Sequence, residues 1–527
     1  MTRKKLLSVF IVVMLLLTLA EFRIFYIMKS SPYTEASSQH GIYTTVVAVS
    51  RPDFYDCNGR LITGTAMATL AVANPRNLAS YNILKYVNDP DEEAFRQRMS
   101  EGVPFLVRVD GEIPSSEPIM TLEIHDRYCG DTLATHLIGY LGYEGEGVSG
   151  LEYFYNDYLN ANKTDTLMKF EVNARGTAID PGDISFYEND NSDAGIVLTI
   201  DSDIQRIAER IAEEQFEKGC IVILDARTSE IRAMVSRPNF DQNDVAAVLD
   251  HDNGALINRA LASYNVGSVY KIVVAAAALE ASVSNFSYEC GGEIEVNGHT
   301  YTCIHSTAHG WVDLERALTY SCNAYFIALG QYVGSETIRN MAAAMGIGKP
   351  VRIADNFYTT KGYLPTVAQM NAYGELCNHC FGQGMLLASP VHVAAYTACI
   401  ANGGVMNSVS VIKQVGDGIV EKGPGKYVMS GHTAAEISKG MYSVVDIGSG
   451  VSGKPDLTTA AGKSGTAQTG RYYDDGTEKL TSWFTGWFPA DDPRYIVTVM
   501  TDDHGYSSEI ATPTFKLVAD AITAQNL

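Results

Sequence analysis

Ser268 and Lys271 stand three residues apart in Asn265-Val266-Gly267-Ser268-Val269-Tyr270-Lys271, directly ahead of an almost wholly apolar run from Ile272 to Leu279. Such a run behind a glycine predicts a buried helix, with Gly267 permitting a tight entry. On that helix Lys271 lies one turn beyond Ser268 on the same face. Ser268 falls in the first turn, where unpaired backbone N–H groups favour developing negative charge. A lysine held against apolar surface loses hydration, so its pKa falls and it can accept the serine proton. The pair therefore reads as a nucleophile and its base. By itself the spacing also fits a capping serine beside a snorkelling lysine, so other residues must decide. Two downstream stretches carry suitable groups, Ser321-Cys322-Asn323 and Lys463-Ser464-Gly465-Thr466.

The elements that must position these groups are legible in outline. Ile196 to Ile200 alternates as a strand, and Asp201 or Ser202 caps a helix that carries Ile204, Ile207 and Ile211 on one stripe until Gly219 stops it. Cys220 to Ala226 and Ile231 to Ser236 read as a hairpin through Arg227-Thr228-Ser229. A long Ala-, Met- and Gly-rich portion with helical spacing follows. Strand patterns return at Thr481 to Phe488 and Tyr495 to Thr501, and an amphipathic helix runs from about Thr514 to Ala524. Strands at both ends with helices between predict an α+β domain with one antiparallel sheet closed by distant parts of the chain.

Upstream, Arg3, Lys4 and Lys5 precede an uncharged run from Leu6 to Ala20, and Ile24 to Met28 adds a second apolar patch after Glu21 and Arg23. Residues 6–28 read as one membrane anchor, with Glu21 and Arg23 snorkelling toward headgroups. The basic cluster puts residues 1–5 in the cytoplasm and everything after residue 29 outside the cell membrane. A cleaved signal peptide is the competing reading, although no small-x-small site stands near Ala20. Residues 29–190 are polar, turn-rich and acidic from Asp89 to Glu93; a linker is expected at Glu188 to Ala194, with a second domain over 195–527.

Composition narrows the partners. At 527 residues, 46% hydrophobic and a net charge of −22, the chain is globular and repels polyanions, so nucleic acid is not an expected partner. Nine cysteines leave at least one thiol unpaired, and Cys290 and Cys303 could bridge in an oxidising exterior. Cys377-Asn378-His379-Cys380 lacks a second Cys-x-x-Cys and reads as a turn with incidental thiols. No metal set or cofactor pattern is identified. His305 and His309 flank a Gly-containing turn and read as local hydrogen-bonding residues, while Met341 to Met345 reads as core. Trp483 and Trp487 bracket a strand, as cleft wall or as core.

In this order the three stretches resemble the motif set of the penicillin-recognising serine acyltransferases, Ser-x-x-Lys, Ser-x-Asn and Lys-(Thr/Ser)-Gly. Further stretches resemble class B penicillin-binding proteins: Leu198-Thr199-Ile200-Asp201, Ile223-Leu224-Asp225, Ala233 to Pro238, Phe381-Gly382-Gln383-Gly384, Ala401 to Gly404 and Trp483 to Gly486. Arg51 through Tyr55 to Gly59, and Gly150-Leu151-Glu152, resemble that family's non-catalytic pedestal, or dimerisation-type domain. Pro52, Cys57, Val266 and Ser464 depart from the residues more usual at those places, and none removes a catalytic group.

The resemblance implies a β-lactamase/transpeptidase-like domain, with a five-stranded antiparallel sheet flanked by helices beside an all-helical part. It implies a serine D,D-transpeptidase that cross-links peptidoglycan stem peptides through an acyl-enzyme at Ser268 and is inhibited by β-lactam antibiotics. Ser321 would relay a proton to the leaving amine, Asn323 would bind the substrate amide, and Lys463 would favour substrate carboxylate. Ser464, Gly465 and Thr466 would bind substrate, Thr466 and Ser268 lending the oxyanion-hole N–H groups. No cofactor is implied. A SEDS-family glycosyltransferase (FtsW/RodA type) would be the membrane partner. A β-lactamase, a membrane-bound β-lactam sensor and a catalytically silent cell-wall scaffold are the alternatives.

Overall fold

The computed structural model describes residues 3–29, 41–88, 90–128, 132–172, 184–188, 194–249, 251, 253–372 and 374–527. The core of the expected linker, 189–193, and Asp89 of the acidic patch lie outside them. α1 (Arg3–Lys29) is one continuous helix, long and apolar enough to cross a bilayer, with no buried residue.

Two compact units divide the chain, and they are not consecutive halves. The first comprises Met1–Arg51, Ala66–Asp126 and Asn162–Asn191; the second comprises Pro52–Thr65, Arg127–Ala161 and Ser192–Leu527. Residues 52–65 and 127–161 thus share a unit with the chain from residue 192 onward. The physical reason lies in backbone pairing: Phe54 and Tyr55 run parallel to Ile196 and Val197, which pair in turn with 412–415. Asp56 reinforces this. Its carboxylate accepts from the Asn58 and Arg60 N–H groups around the left-handed Gly59, and from the Ser202 N–H. The Gly150-Leu151-Glu152 stretch belongs to the same unit, where fully buried Glu152 accepts from Arg127 and from the Tyr128 hydroxyl. The first unit carries two three-stranded sheets, 42–50 with 164–171 and 185–188, and 66–73 with 105–109 and 121–126. Its cores are built on Val72, Met168 and Phe170 and on Ile83, Phe95 and Phe105.

In the second unit α2 (Ser202–Gln215) is capped by Asp201, which accepts from the Asp203 and Ile204 N–H groups. Ile204, Ile207 and Ile211 are buried on its inner face. It ends at Phe216 rather than at Gly219, which instead opens β1 (Gly219–Asp225). A Cβ there would stand 2.4 Å from the Met500 carbonyl, so this glycine serves a close strand contact and not a helix stop. β1 pairs with β2 (Ile231–Arg237) as the expected hairpin. α3 (Lys271–Glu280), α4 (Asn323–Val333), α5 (Pro390–Ala401) and α6 (Gly431–Ile447) form the helical part. Between Ile272 and Ala278 α3 is apolar all round, and α5 is nearly so, because these stretches are buried on every side.

β3 (Ala461–Tyr472), β4 (Glu478–Phe488) and β5 (Tyr495–His504) complete an antiparallel sheet in the order β2-β1-β5-β4-β3. α7 (Ala511–Ala524) closes the fold. It starts before the expected Thr514 because Pro513 falls in its first turn, where the missing N–H would have had no helical partner. β3 is the free edge of this sheet, and it carries Lys463, Ser464, Gly465 and Thr466.

Candidate active site

Asn265 is tied to β3's neighbour by Trp483, whose indole N–H donates to the Asn265 carbonyl at 2.9 Å. Trp483 and Trp487 are both fully buried, so they are core and not cleft wall. The chain then turns through Gly267 at φ +64, and the Gly267 N–H donates to the Gly382 carbonyl at 2.8 Å. A Cβ on Gly267 would lie 2.8 Å from the Thr466 carbonyl, so only glycine permits this approach to β3. Ser268 follows, half-buried, in a 3-10 turn (Gly267–Tyr270) that leads into α3. Behind it the Tyr270 hydroxyl meets His379 Nε2 at 2.7 Å. His379 sits with Cys377 and Cys380 on a short helix, Glu375–Cys380, so that stretch is helical and buried and not a turn.

Lys271 is fully buried, and its ammonium donates to three oxygens: the Ser321 carbonyl at 2.7 Å, Ser321 Oγ at 3.1 Å and Asn323 Oδ1 at 2.7 Å. Lys463, also fully buried, donates to the same Ser321 Oγ at 3.0 Å and to the Ser464 carbonyl at 2.9 Å. Among the described residues Ser268 Oγ makes no hydrogen bond to Lys271; in this state the amine is engaged by Ser321 and Asn323. Burial lowers the Lys271 pKa to about 8, against a smaller upward pull from the Cys322 and Cys303 thiols. Burial first, and then the Lys271 charge, hold Lys463 well below the ordinary lysine range. Two ammonium ions beside one hydroxyl repel in a medium of low dielectric, so the pair favours losing a proton.

The position of Ser321 has a local cause. The helix Leu314–Thr319 ends with the Ser321 N–H on the Leu318 carbonyl at 3.1 Å and the Cys322 N–H on the Ala317 carbonyl at 2.9 Å. This is the bond pattern of a Schellman ending, and Ser321, at φ +55, occupies the left-handed place that glycine usually takes. A left-handed serine costs about 1 kcal/mol. In return the hydroxyl is held between two lysines that the chain brings from opposite directions. Cys322 next caps α4, its sulfur accepting from the Tyr325 N–H.

β3 supplies the last groups. Gly465 passes so close that a Cβ would lie 2.9 Å from the Val269 nitrogen and 3.3 Å from the Ser268 nitrogen. The Thr466 carbonyl faces outward, toward Gly267 and the Gln383 amide at 3.5 Å. The N–H and C=O of one strand residue point to the same side, so the Thr466 N–H also faces the open edge, beside the Ser268 turn. Ser464 turns instead to Ser449, its hydroxyl at 3.1 Å. All eight residues singled out in the sequence thus lie in one neighbourhood. Gln383 is an addition to them; its sequence signal was its place in the Phe381-Gly382-Gln383-Gly384 stretch.

A family model described as penicillin binding protein transpeptidase domain matches residues 219–520. The chain belongs to the penicillin-binding protein transpeptidase family. It is 28% identical to stage V sporulation protein D of Bacillus subtilis, across 86% of this chain and 74% of that protein. It is 27% identical to the peptidoglycan D,D-transpeptidase MrdA of Haemophilus influenzae, across 86% and 80%. Penicillin-binding protein PbpB of Mycolicibacterium smegmatis is 30% identical across 79% of this chain and 68% of its own length. Class B penicillin-binding proteins thus account for most of the chain. Among solved structures, a chain of a peptidoglycan synthase complex superposes with TM-score 0.73 at 24% identity, covering 99% of this chain and 98% of that one. Penicillin binding protein 3 of Mycobacterium tuberculosis with aztreonam gives 0.65 at 22%, covering 92% and 98%. At these identities the superpositions speak for the fold.

Proposed function

We propose that the chain is a serine D,D-transpeptidase that joins peptidoglycan stem peptides through an acyl-enzyme on Ser268, with β-lactams as inhibitors. The observation that carries this reading is the meeting of Lys271 and Lys463 at Ser321 Oγ, beneath a turn that sets the Ser268 nitrogen against Gly465. Neutral Lys271 takes the Ser268 hydroxyl proton as Oγ attacks the D-Ala carbonyl, and the Ser268 and Thr466 N–H groups receive the oxyanion. The C–N bond then breaks. Ser321, recharged by the lysines on either side, passes a proton to the departing D-Ala amine. An amine on a second stem peptide reverses the sequence and forms the cross-link.

Asn323 presents Oδ1 to Lys271 and its amide to the Thr302 carbonyl at 2.9 Å, and so stands where a substrate amide would run along the cleft. Lys463, Ser464 and Gly465 line the edge where a substrate carboxylate would lie. At pKa 8 about a tenth of Lys271 is neutral at pH 7, against less than about one part in a thousand for an ordinary lysine, which is the gain that burial supplies. α1 anchors the protein with Arg3, Lys4 and Lys5 on the cytoplasmic side and the catalytic unit outside. A SEDS-family glycosyltransferase in the same membrane would supply the glycan strands. The deciding experiment is intact mass of the protein after β-lactam exposure, with peptide mapping. One adduct on Ser268 supports the assignment; an adduct elsewhere, none, or rapid release of hydrolysed antibiotic defeats it.

A further inference from the structure

Four side chains next to the Ser321 turn have no part in the chemistry above. Cys290, Cys303, Cys322 and His309 bring their ligand atoms within 4.8 Å of one another, and the three cysteines are buried. Cys290 and Cys303 are free thiols with sulfurs 3.7 Å apart, far beyond the ~2.05 Å of a disulfide, so the bridge that the sequence left open is not formed. Cys303 and Cys322 are separated by 3.9 Å, and Cys290 Sγ lies 3.4 Å from His309 Nδ1. A tetrahedral zinc ion with Zn–S of about 2.3 Å and Zn–N of about 2.0 Å requires S···S edges of about 3.8 Å and S···N edges of about 3.5 Å. The three edges Cys290–Cys303, Cys303–Cys322 and Cys290–His309 lie close to these lengths, and all four ligand atoms fall within 4.8 Å of one another.

We propose that Cys290, Cys303, His309 and Cys322 hold a zinc-class divalent ion in a closed, structural site that fixes the segment around Ser321 and Asn323. Four protein ligands leave no open position, so the ion takes no part in bond making. Two further observations support a staple at this place. Between Gly291 and Trp311 only Gly292 and Cys303 are buried, so this excursion of two short strand pairs has no core of its own. The sulfurs also receive backbone donors, Cys290 from the Gly292 N–H and Cys322 from the Tyr325 N–H, both at 3.4 Å, as metal thiolates commonly do. On binding, the three thiols release their protons to solvent, and the site carries a net charge of about −1.

The geometry ties the ion to the active site twice. Cys322 is the residue between Ser321 and Asn323, and the Asn323 amide donates to the carbonyl of Thr302, the neighbour of Cys303. Loss of the ion frees both attachments at once. That positioning role rests on the transpeptidase reading; the metal site does not.

Zinc content of the full chain, purified in detergent with reductant, is the first test. About one equivalent per chain is expected, and Cys290→Ser, Cys303→Ser and His309→Ala should each bind Zn2+ at least ~10-fold more weakly. Because such variants can fail to fold, the wild type is also alkylated with and without chelator. Zinc should protect Cys290, Cys303 and Cys322, and chelation should expose them. Substoichiometric zinc after equilibration with Zn2+, equal alkylation in both states, or an intact mass showing Cys290 and Cys303 oxidised together overturns the site. Chelated wild type should acylate at least ~10-fold more slowly at saturating β-lactam and recover with Zn2+; an unchanged rate overturns the positioning role. Ser268→Ala should keep its zinc while losing acylation, so failure of the transpeptidase reading and failure of the metal site give different results.

Discussion

Lys271 and Lys463 donate to the same atom, Ser321 Oγ, from 3.1 and 3.0 Å, although one opens a helix and the other lies on the edge strand of the sheet. The hydroxyl between them gives a short path by which a proton on one amine can reach the other. Ser321→Ala should therefore lower β-lactam acylation by about 10²-fold while leaving the fold intact, as read from acylation rates and a thermal melt. A variant that acylates at the wild-type rate would remove the relay.

Backbone and hydroxyl contributions at the same residue separate by a second substitution. Ser321 is left-handed at φ +55 in a place that favours glycine. Ser321→Gly should be more stable than Ser321→Ala by about 1 kcal/mol, and both should be equally slow in acylation. Equal melting temperatures would contradict the strain.

Lys271 should govern the pH profile. Its pKa is lowered to about 8 by burial, so the neutral form grows as pH rises. The acylation rate at low β-lactam concentration should climb about tenfold per unit below that value and level off above it. The sign for stability agrees: below pH 8 the buried ammonium is charged in both folded and unfolded chains and its desolvation cost is fully present. Between about 8 and the ordinary 10.5 the unfolded chain binds the extra proton, so this group's destabilisation is relieved as pH rises. A rate that falls across this range would assign the base elsewhere.

Two glycines hold the nucleophile against the sheet. Gly267→Ala places a Cβ 2.8 Å from the Thr466 carbonyl at a left-handed residue, and Gly465→Ala places one 2.9 Å from the Val269 nitrogen. Both oppositions involve backbone, which cannot swing aside. Each variant should lose acylation by at least ~10²-fold, because the Ser268 and Thr466 N–H groups no longer converge. Gly267→Ala should also cost more than about 1 kcal/mol in thermal stability, through its backbone conformation.

Ser268→Ala should abolish labelling by a fluorescent penicillin with an unchanged melting temperature, since the hydroxyl makes no hydrogen bond to Lys271 in this state. Labelling of that variant would mean a different nucleophile.

What the residue order determined by itself was whatever depends on near neighbours. The apolar stripe of α2, the hairpin at Arg227 to Ser229 and the span of α1 all follow from periods of a few residues. The Ser268 and Lys271 pair is likewise a one-turn relation on a single helix. Tertiary structure alone decided relations between distant segments. It brought Ser321 Oγ between two lysines, set Gln383 on Thr466, and gathered Cys290, Cys303, His309 and Cys322 from four places whose spacing follows no familiar motif. It also gave Gly219 to a strand and joined Phe54 to Ile196 in a unit that sequence order splits. Local periodicity reports which face of an element is apolar; which other element covers that face is set by the packing of the whole core, and the active site is made where those choices meet.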